Sequence, residues 1–240
     1  MTMSNPMVGF ICIMHSCQKC SRKNFNTINS LVASLYKFCN KDFFLYLFDN
    51  QSDKKFILPN YDNIKYTYIE DQLIRGLAGP YNDGIKMAVE DNCDLIILVN
   101  DDVVINDSIN LFIDTIRNHP HKNVGLYGPL TNGVIRRSPQ LAEKAGKGIK
   151  EITNNSGDHI NGFLMAFTNE FYQKFKLPNG DFCDMKWKWS GGEEILQKRM
   201  RENEGRMFVI KDCWFYHKHI SDWNKIERWR NPLESNKSKK

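Results

Sequence analysis

The stretch CDLIILVNDDVVI, residues 93–105, limits the fold more than any other part of this sequence. Five apolar residues in a row, Leu95 to Val99, run into Asn100, Asp101 and Asp102, after which the chain turns apolar again. A short apolar run ending in polar residues reads as a buried strand. The segments before it alternate in kind. Val8 to Met14 reads as a first strand. Phe25, Ile28, Leu31, Val32, Leu35 and Cys39 then fall at helical spacing within about Asn24 to Cys39. The strand FFLYLF ends at Asp49, a short strand spans Ile64 to Tyr68, and NDGIKMAVED predicts a helix with Ile85, Ala88 and Val89 inward. Beyond the acidic group, Ile109, Phe112, Ile113 and Ile116 mark another helix.

This β-α-β-β-α-β-α order predicts an α/β protein with a mainly parallel central sheet flanked by helices. Such sheets bind ligands just beyond the carboxyl ends of their strands. Asp49 and the Asn100 to Asp102 group both stand at such ends, so two acidic groups are expected to meet on one edge. The second half changes character. HINGFLMAF predicts a strand, TNEFYQKF a short helix, DMKWKWSGGEEILQKRM a Trp-rich loop feeding a helix, and RMFVI with CWFYHKH a closing strand pair. Residues 132–157, rich in Gly, Lys, Asn and Ser, are long for a connection and predict a mobile loop able to close over a ligand. One domain over 1–240 is expected, with halves at about 8–105 and 106–225 and a terminal helix or tail at 226–240.

A hydrophobic fraction of 41% with 25% charged residues describes an ordinary soluble globular chain. The net charge of +5 comes partly from the terminal NKSKK, and no RNA-binding or zinc-finger signature accompanies it, so nucleic acid is not an expected partner. Seven scattered cysteines, an odd number, suit reduced thiols better than a disulfide framework. Cys17 and Cys20 form a CxxC, but no second pair lies at zinc-site spacing. The apolar run VGFICIM is too short for a membrane span. A soluble, cytoplasmic protein without an integral membrane segment is the expectation.

Adjacent carboxylates such as Asp101 and Asp102 repel one another unless solvent, a cation or another positive group offsets them. Asn106 and Asp107 are better placed to cap the helix that follows, which leaves the pair for the ligand edge. Mg²⁺ and Mn²⁺ use one or two carboxylates together with substrate phosphate oxygens, so the edge suits a metal-bound diphosphate.

Six segments in order, LFDNQSD, RGLAGPYNDGIKMA, LIILVNDDVVI, NGFLMAF, SGGEEILQKR and FYHKHIS, resemble the motifs of inverting nucleotide-sugar glycosyltransferases of the A-type (GT-A) fold, family 2. The resemblance runs from Val8 to about Ser221. It implies a Rossmann-like GT-A fold with a smaller mixed acceptor-side subregion. The implied donor is a UDP-, GDP- or dTDP-linked sugar, UDP foremost, the acceptor a carbohydrate or glycoprotein, and the cofactor Mn²⁺ or Mg²⁺. Asp49 would contact the base, with Asn50 and Ser52 shaping its loop, and Gly76, Gly79, Asn82 and Gly84 would pass beside the nucleotide sugar. In the acidic motif Asp101 holds the variable position and Asp102 the metal-binding one. Asn100 stands where the family often has Asp, suiting a hydrogen bond to ribose or to a metal-bound water. His217, or His219 beside it, would complete the metal site.

On the acceptor side Glu194 corresponds to the general base and Glu193 to a ligand of the acceptor hydroxyl. Both open a helix, where a carboxylate is kept ionised and ready to take a proton. Gly191 and Gly192 loosen the loop before them, and Trp187 and Trp189 could stack on a sugar face. Two other classes compete. A sugar-nucleotide-forming nucleotidyltransferase would carry a Gly-rich basic loop after the first strand, whereas this chain has HSCQKCSRKN with no glycine. An inactive nucleotide- or carbohydrate-binding module would lack a base or a metal ligand, whereas Asp102, Glu194 and His217 are all present.

Overall fold

The structure, a computed structural model, describes residues 6–16, 23–59, 61–133, 138–152, 158–187 and 192–218. Strand β1 (Met7–Met14) leads through a short 3₁₀ turn to helix α1 (Asn26–Phe38), then β2 (Phe43–Asp49) and β3 (Ile64–Tyr68). Helices α2 (Gln72–Arg75) and α3 (Ala78–Glu90) precede β4 (Cys93–Asn100), β5 (Val103–Val104) and α4 (Ser108–Asn118). The second half adds β6 (Gly125–Thr131), β7 (Ile149–Ile152), β8 (Leu164–Thr168), α5 (Asn169–Phe175), α6 (Gly192–Arg201) and β9 (Arg206–His217).

One sheet runs through both halves in the order β3-β2-β1-β4-β8-β6-β9-β5, with β7 also paired to β9. The pairs β3-β2, β2-β1, β1-β4 and β6-β9 are parallel, while β8, β7 and β5 run against their neighbours. This is the expected α/β class, with a parallel first half and a mixed second half.

Alternation along β1 shows why helices cover both faces. Val8, Phe10, Cys12 and Met14 join the core beneath α1 and α4, whereas Ile11 joins the core beneath α3, α5 and α6. Helix α3 lies close to the sheet because Gly84 carries no side chain: a Cβ there would stand 2.6 Å from Ile11 Cγ2 and 2.9 Å from the Phe48 ring. Gly76 makes the bend between α2 and α3 with φ of 59°, a left-handed conformation that glycine adopts without strain.

Several elements differ from expectation, among them the short α2 and β5, which were not foreseen. Strand β6 was not foreseen, and β7 lies within the stretch expected to be a mobile loop. RMFVI and CWFYHKH form one strand, β9, rather than two. Pro129 pairs with Ile210 but Leu130 with Trp214, so residues 211–213 bulge out and the ladder resumes beyond them. Among the described residues no disulfide joins any of Cys12, Cys39, Cys93, Cys183 and Cys213. Among the described residues no helix is long and apolar enough to cross a membrane.

Candidate functional site

Parallel pairing of β1, β2 and β4 puts Asp49 and Asn100 at the same edge, on either side of the end of β1: Met14 pairs with Asp49 and Ile13 with Asn100. Asp49 is fully buried and engaged within the chain. Its Oδ1 accepts from the Ser52 amide and its Oδ2 from the Tyr66 hydroxyl, both at 2.9 Å. Burial, and then this bond to Asp49, push the Tyr66 phenol above its ordinary range. Ser52 Oγ in turn accepts from the Ser16 amide at 2.8 Å, stitching the loop to the end of β1.

Asn50 differs. It is fully buried, and neither its amide nitrogen nor its amide oxygen has a hydrogen-bond partner among the described residues. A cavity of about 400 Å³ opens beside this loop, lined by Ser16, Asn29, Asp53 and Lys55 among others, apart from Asp102, His217 and Glu193.

The acidic motif meets the end of β9. Val103 pairs with His217, and the Lys218 amide donates to the Asp102 carbonyl at 3.0 Å. That register brings His217 Nε2 to 3.1 Å from Asp102 Oδ1 with both residues buried. Asn132 grips the histidine's backbone on both sides, accepting from its N–H at 2.8 Å and donating to its carbonyl at 3.1 Å. The Phe163 ring stacks on the imidazole at 5.2 Å.

His217 Nδ1 lies 3.0 Å from the Gly133 carbonyl, which can only accept, so Nδ1 carries a hydrogen. Nε2 and Asp102 Oδ1 can then approach only with a proton or a cation between them. A divalent ion fits that pair of donors. Among the described residues no three His, Cys, Asp or Glu side chains converge on one point. An ion held here would draw its remaining ligands from substrate oxygens and water. Asp101 turns toward α1, where the Thr27 hydroxyl donates to its Oδ2 at 2.9 Å.

Glu193 and Glu194 open α6, as the sequence implies. Glu193 faces the sheet: a Cβ built on Gly162 would stand 3.6 Å from its carboxyl carbon and Oε1. Gly162 precedes Phe163, whose carbonyl accepts from the Asn100 amide at 2.9 Å. The start of β8 therefore joins the acidic motif to the helix carrying the two glutamates. Tyr81 on α3 also spans them. Burial first, then Cys12, Cys183, Glu193 and Asp101, push its phenol well above the ordinary value. Gly192 packs under the Trp187 carbonyl, while Met185 and Trp187 are exposed just before α6.

Asn82 is committed elsewhere. Its Oδ1 accepts from the Phe182 and Cys183 amides at 2.9 and 2.8 Å, and its Nδ2 donates to the Cys183 carbonyl at 2.9 Å. It ties α3 to the segment leading to Trp187. Gly79 lies against the Arg75 side chain. Trp189, Gly191 and His219 lie outside the described residues, as do Cys17 and Cys20. Sequence reasoning missed Asn132, Phe163 and Tyr81. Tyr81 sits in the middle of a motif singled out for its glycines, and the other two act through tertiary register.

No protein-family model matches the sequence, and no curated protein matches it. Solved structures do match. Residues 1–349 of S. aureus TarS in complex with UDP superpose with a TM-score of 0.62 at 18% identity, covering 88% of this chain and 60% of that one. The same TarS segment in complex with UDP-GlcNAc gives 0.58 at 18% identity over 86% and 57%. GalNAc-T7 with UDP, GalNAc and Mn²⁺ gives 0.60 at 13% identity over 90% and 44%. The fold is that of the GT-A glycosyltransferases. The chain spans 60% or less of the length of these three relatives.

Proposed function

We propose that this chain transfers a sugar from a nucleotide diphosphate sugar, UDP-linked, to an acceptor hydroxyl of a carbohydrate or glycoprotein, with inversion at the anomeric carbon. The observation that carries the reading is the meeting at one sheet edge of the Asp102–His217 pair and Glu193 at the start of α6, joined through Gly162 and Phe163. The TarS complexes with UDP and UDP-GlcNAc and the GalNAc-T7 complex with UDP and Mn²⁺ support it on the same fold.

In this reading the loop at Asp49, Asn50 and Ser52 receives the nucleotide. The unpartnered Asn50 amide supplies one donor and one acceptor to it. Asp102 and His217 would hold Mn²⁺ or Mg²⁺, and the bound ion would supply positive charge to offset that of a departing diphosphate. Glu194 accepts the acceptor hydroxyl's proton as that oxygen attacks the anomeric carbon. The bond from that carbon to the diphosphate oxygen breaks, and its electron pair leaves with the diphosphate. One displacement inverts the centre. Glu193, beside Gly162, receives a hydroxyl hydrogen bond, and the exposed Trp187 offers an aromatic surface to the acceptor.

Calorimetric titration of UDP, GDP and dTDP with Mn²⁺ and with chelator, on wild type and Asp102→Ala, tests this directly. Metal-dependent binding of UDP that Asp102→Ala abolishes is the expected result. No nucleotide binding under either condition sinks the proposal.

A further inference from the structure

Asn161 adjoins this edge and takes none of the roles above. It immediately precedes Gly162, which faces the Glu193 carboxylate, and is two residues before Phe163, which stacks on His217. The backbone around it is fixed. Gln197, fully buried, accepts from the Ile160 amide and donates to the Ile160 carbonyl, both at 2.7 Å. Gln140, also fully buried, accepts from the Asn161 amide at 2.6 Å while donating to the Pro129 carbonyl at 3.0 Å.

The Asn161 side chain is not fixed in that way. Its Nδ2 is shielded from solvent and has no hydrogen-bond partner among the described residues. A sequestered amide donor left unpaired loses its bonds to water and gains none in return, which disfavours the folded state. Asn82 and Asn132, on the same side of the molecule, each make hydrogen bonds through both ends of their amides. The two buried glutamines hold the backbone of Ile160 and Asn161 and leave the Asn161 Nδ2 unpaired.

An N–H donor asks for an oxygen acceptor. In the glycosyl-transfer reading, on which this inference rests, the transferred sugar spans from the diphosphate at Asp102 and His217 to the acceptor at Glu194. Gly162 borders Glu193 and Phe163 stacks on His217, so Asn161 adjoins residues at both ends of that span. We propose that Asn161 is a specificity-determining residue for the transferred sugar. Its Nδ2 donates to an oxygen of that sugar, either a ring hydroxyl or the carbonyl of an N-acyl substituent.

The test compares the wild type with Asn161→Ala and the near-isosteric Asn161→Leu, using the full chain with Mn²⁺. Dissociation constants are measured by calorimetry for UDP, UDP-glucose, UDP-galactose, UDP-GlcNAc and UDP-GalNAc, and hydrolysis of each sugar nucleotide is followed. UDP affinity stays within about twofold in both variants, while the wild type's preference for one sugar nucleotide falls roughly tenfold. A preference lost between an N-acetyl sugar and its parent hexose assigns the carbonyl; one lost between epimers assigns a hydroxyl. Thermal stability is unchanged or higher, because no bond within the protein is lost. Variants that keep the wild-type preference, variants that lose UDP affinity along with it, or a wild type without any preference would each overturn the inference. A wild type that does not bind UDP at all removes the transferase reading and this inference with it.

Discussion

The two edges of the central sheet treat their polar groups in opposite ways. At the amino edge Asp91 accepts from Lys65 at 2.5 and 2.6 Å and from the Tyr46 hydroxyl at 2.5 Å. Burial by itself would raise the Asp91 carboxyl, but the Lys65 and Tyr46 hydrogen bonds outweigh it and hold it below the ordinary value. Burial, joined by Asp91, pushes the Tyr46 phenol far upward. That carboxylate is matched by an ammonium and a phenol. At the carboxyl edge Asp102 faces an imidazole, and the side-chain amide of Asn50 and the Nδ2 of Asn161 have no hydrogen-bond partner among the described residues. Stabilising networks close on themselves, whereas the groups left open at the carboxyl edge are those the proposed reading gives to a ligand.

The largest effect expected from breaking this contrast lies in the chemistry. Glu194→Gln should lower turnover by roughly 10²–10⁴-fold while sugar-nucleotide affinity holds, and Glu193→Gln should mainly raise the KM for the acceptor. If the two variants exchange these behaviours in steady-state kinetics, the base is Glu193. Next comes Asp102→Ala, expected to weaken Mn²⁺-dependent UDP binding by on the order of 100-fold or more with no change in far-ultraviolet circular dichroism. UDP binding that ignores both chelator and this substitution refutes the metal assignment.

At the amino edge the expected change is in stability alone. Asp91→Asn should cost about 1–2 kcal/mol in denaturant unfolding and leave UDP affinity untouched. The same group sets a pH window. Its folded carboxyl lies below the unfolded one, so its contribution is present above the unfolded value and is lost as pH falls through the folded value. Asp91→Asn should therefore flatten the acid limb of the stability profile. The smallest effect belongs to Asn50→Leu. Replacing an unpartnered buried amide with an apolar group of similar size should leave stability within about 0.5 kcal/mol or raise it, while UDP binding weakens several-fold. A large loss of stability would show that the amide serves the fold.

The sequence carried the first half of the fold clearly, because its periodicities are clean. The alternation in β1 and the helical spacing of Ile28, Leu31, Val32 and Leu35 give the elements near their observed limits. The second half hides its strands. Strand β6, GLYGPLT, is wholly buried but includes two glycines and a proline, the residues that ordinarily mark turns. Strand β7 is mostly exposed and exists through its pairing with β9. Lys211 and Asp212 interrupt the apolar pattern of β9 and make one strand look like two. Asp102 and His217 stand out by residue type, and the structure brings them together. Asn82 looks the same in sequence whether it contacts a ligand or ties two segments together, and only its contacts show the tie. Asn132 and Asn161 gain their places from strand register, which a single sequence does not encode locally.

The bulge in β9 makes chain length, and not only residue identity, a functional variable. Three residues of slack, 211–213, separate the paired stretch at Ile210 from the one resuming at Trp214. The loop before β7 clasps that slack: Gly146 donates to the Lys211 carbonyl, the Lys211 amide to the Gly148 carbonyl, and the Gly148 amide to Asp212. Because side chains alternate along a strand, a one-residue slip of the paired stretch beyond the slack would turn His217 to the opposite face of the sheet while every motif remained readable in the sequence. A relative whose ladder resumed one residue out of step would keep the histidine and lose its meeting with Asp102.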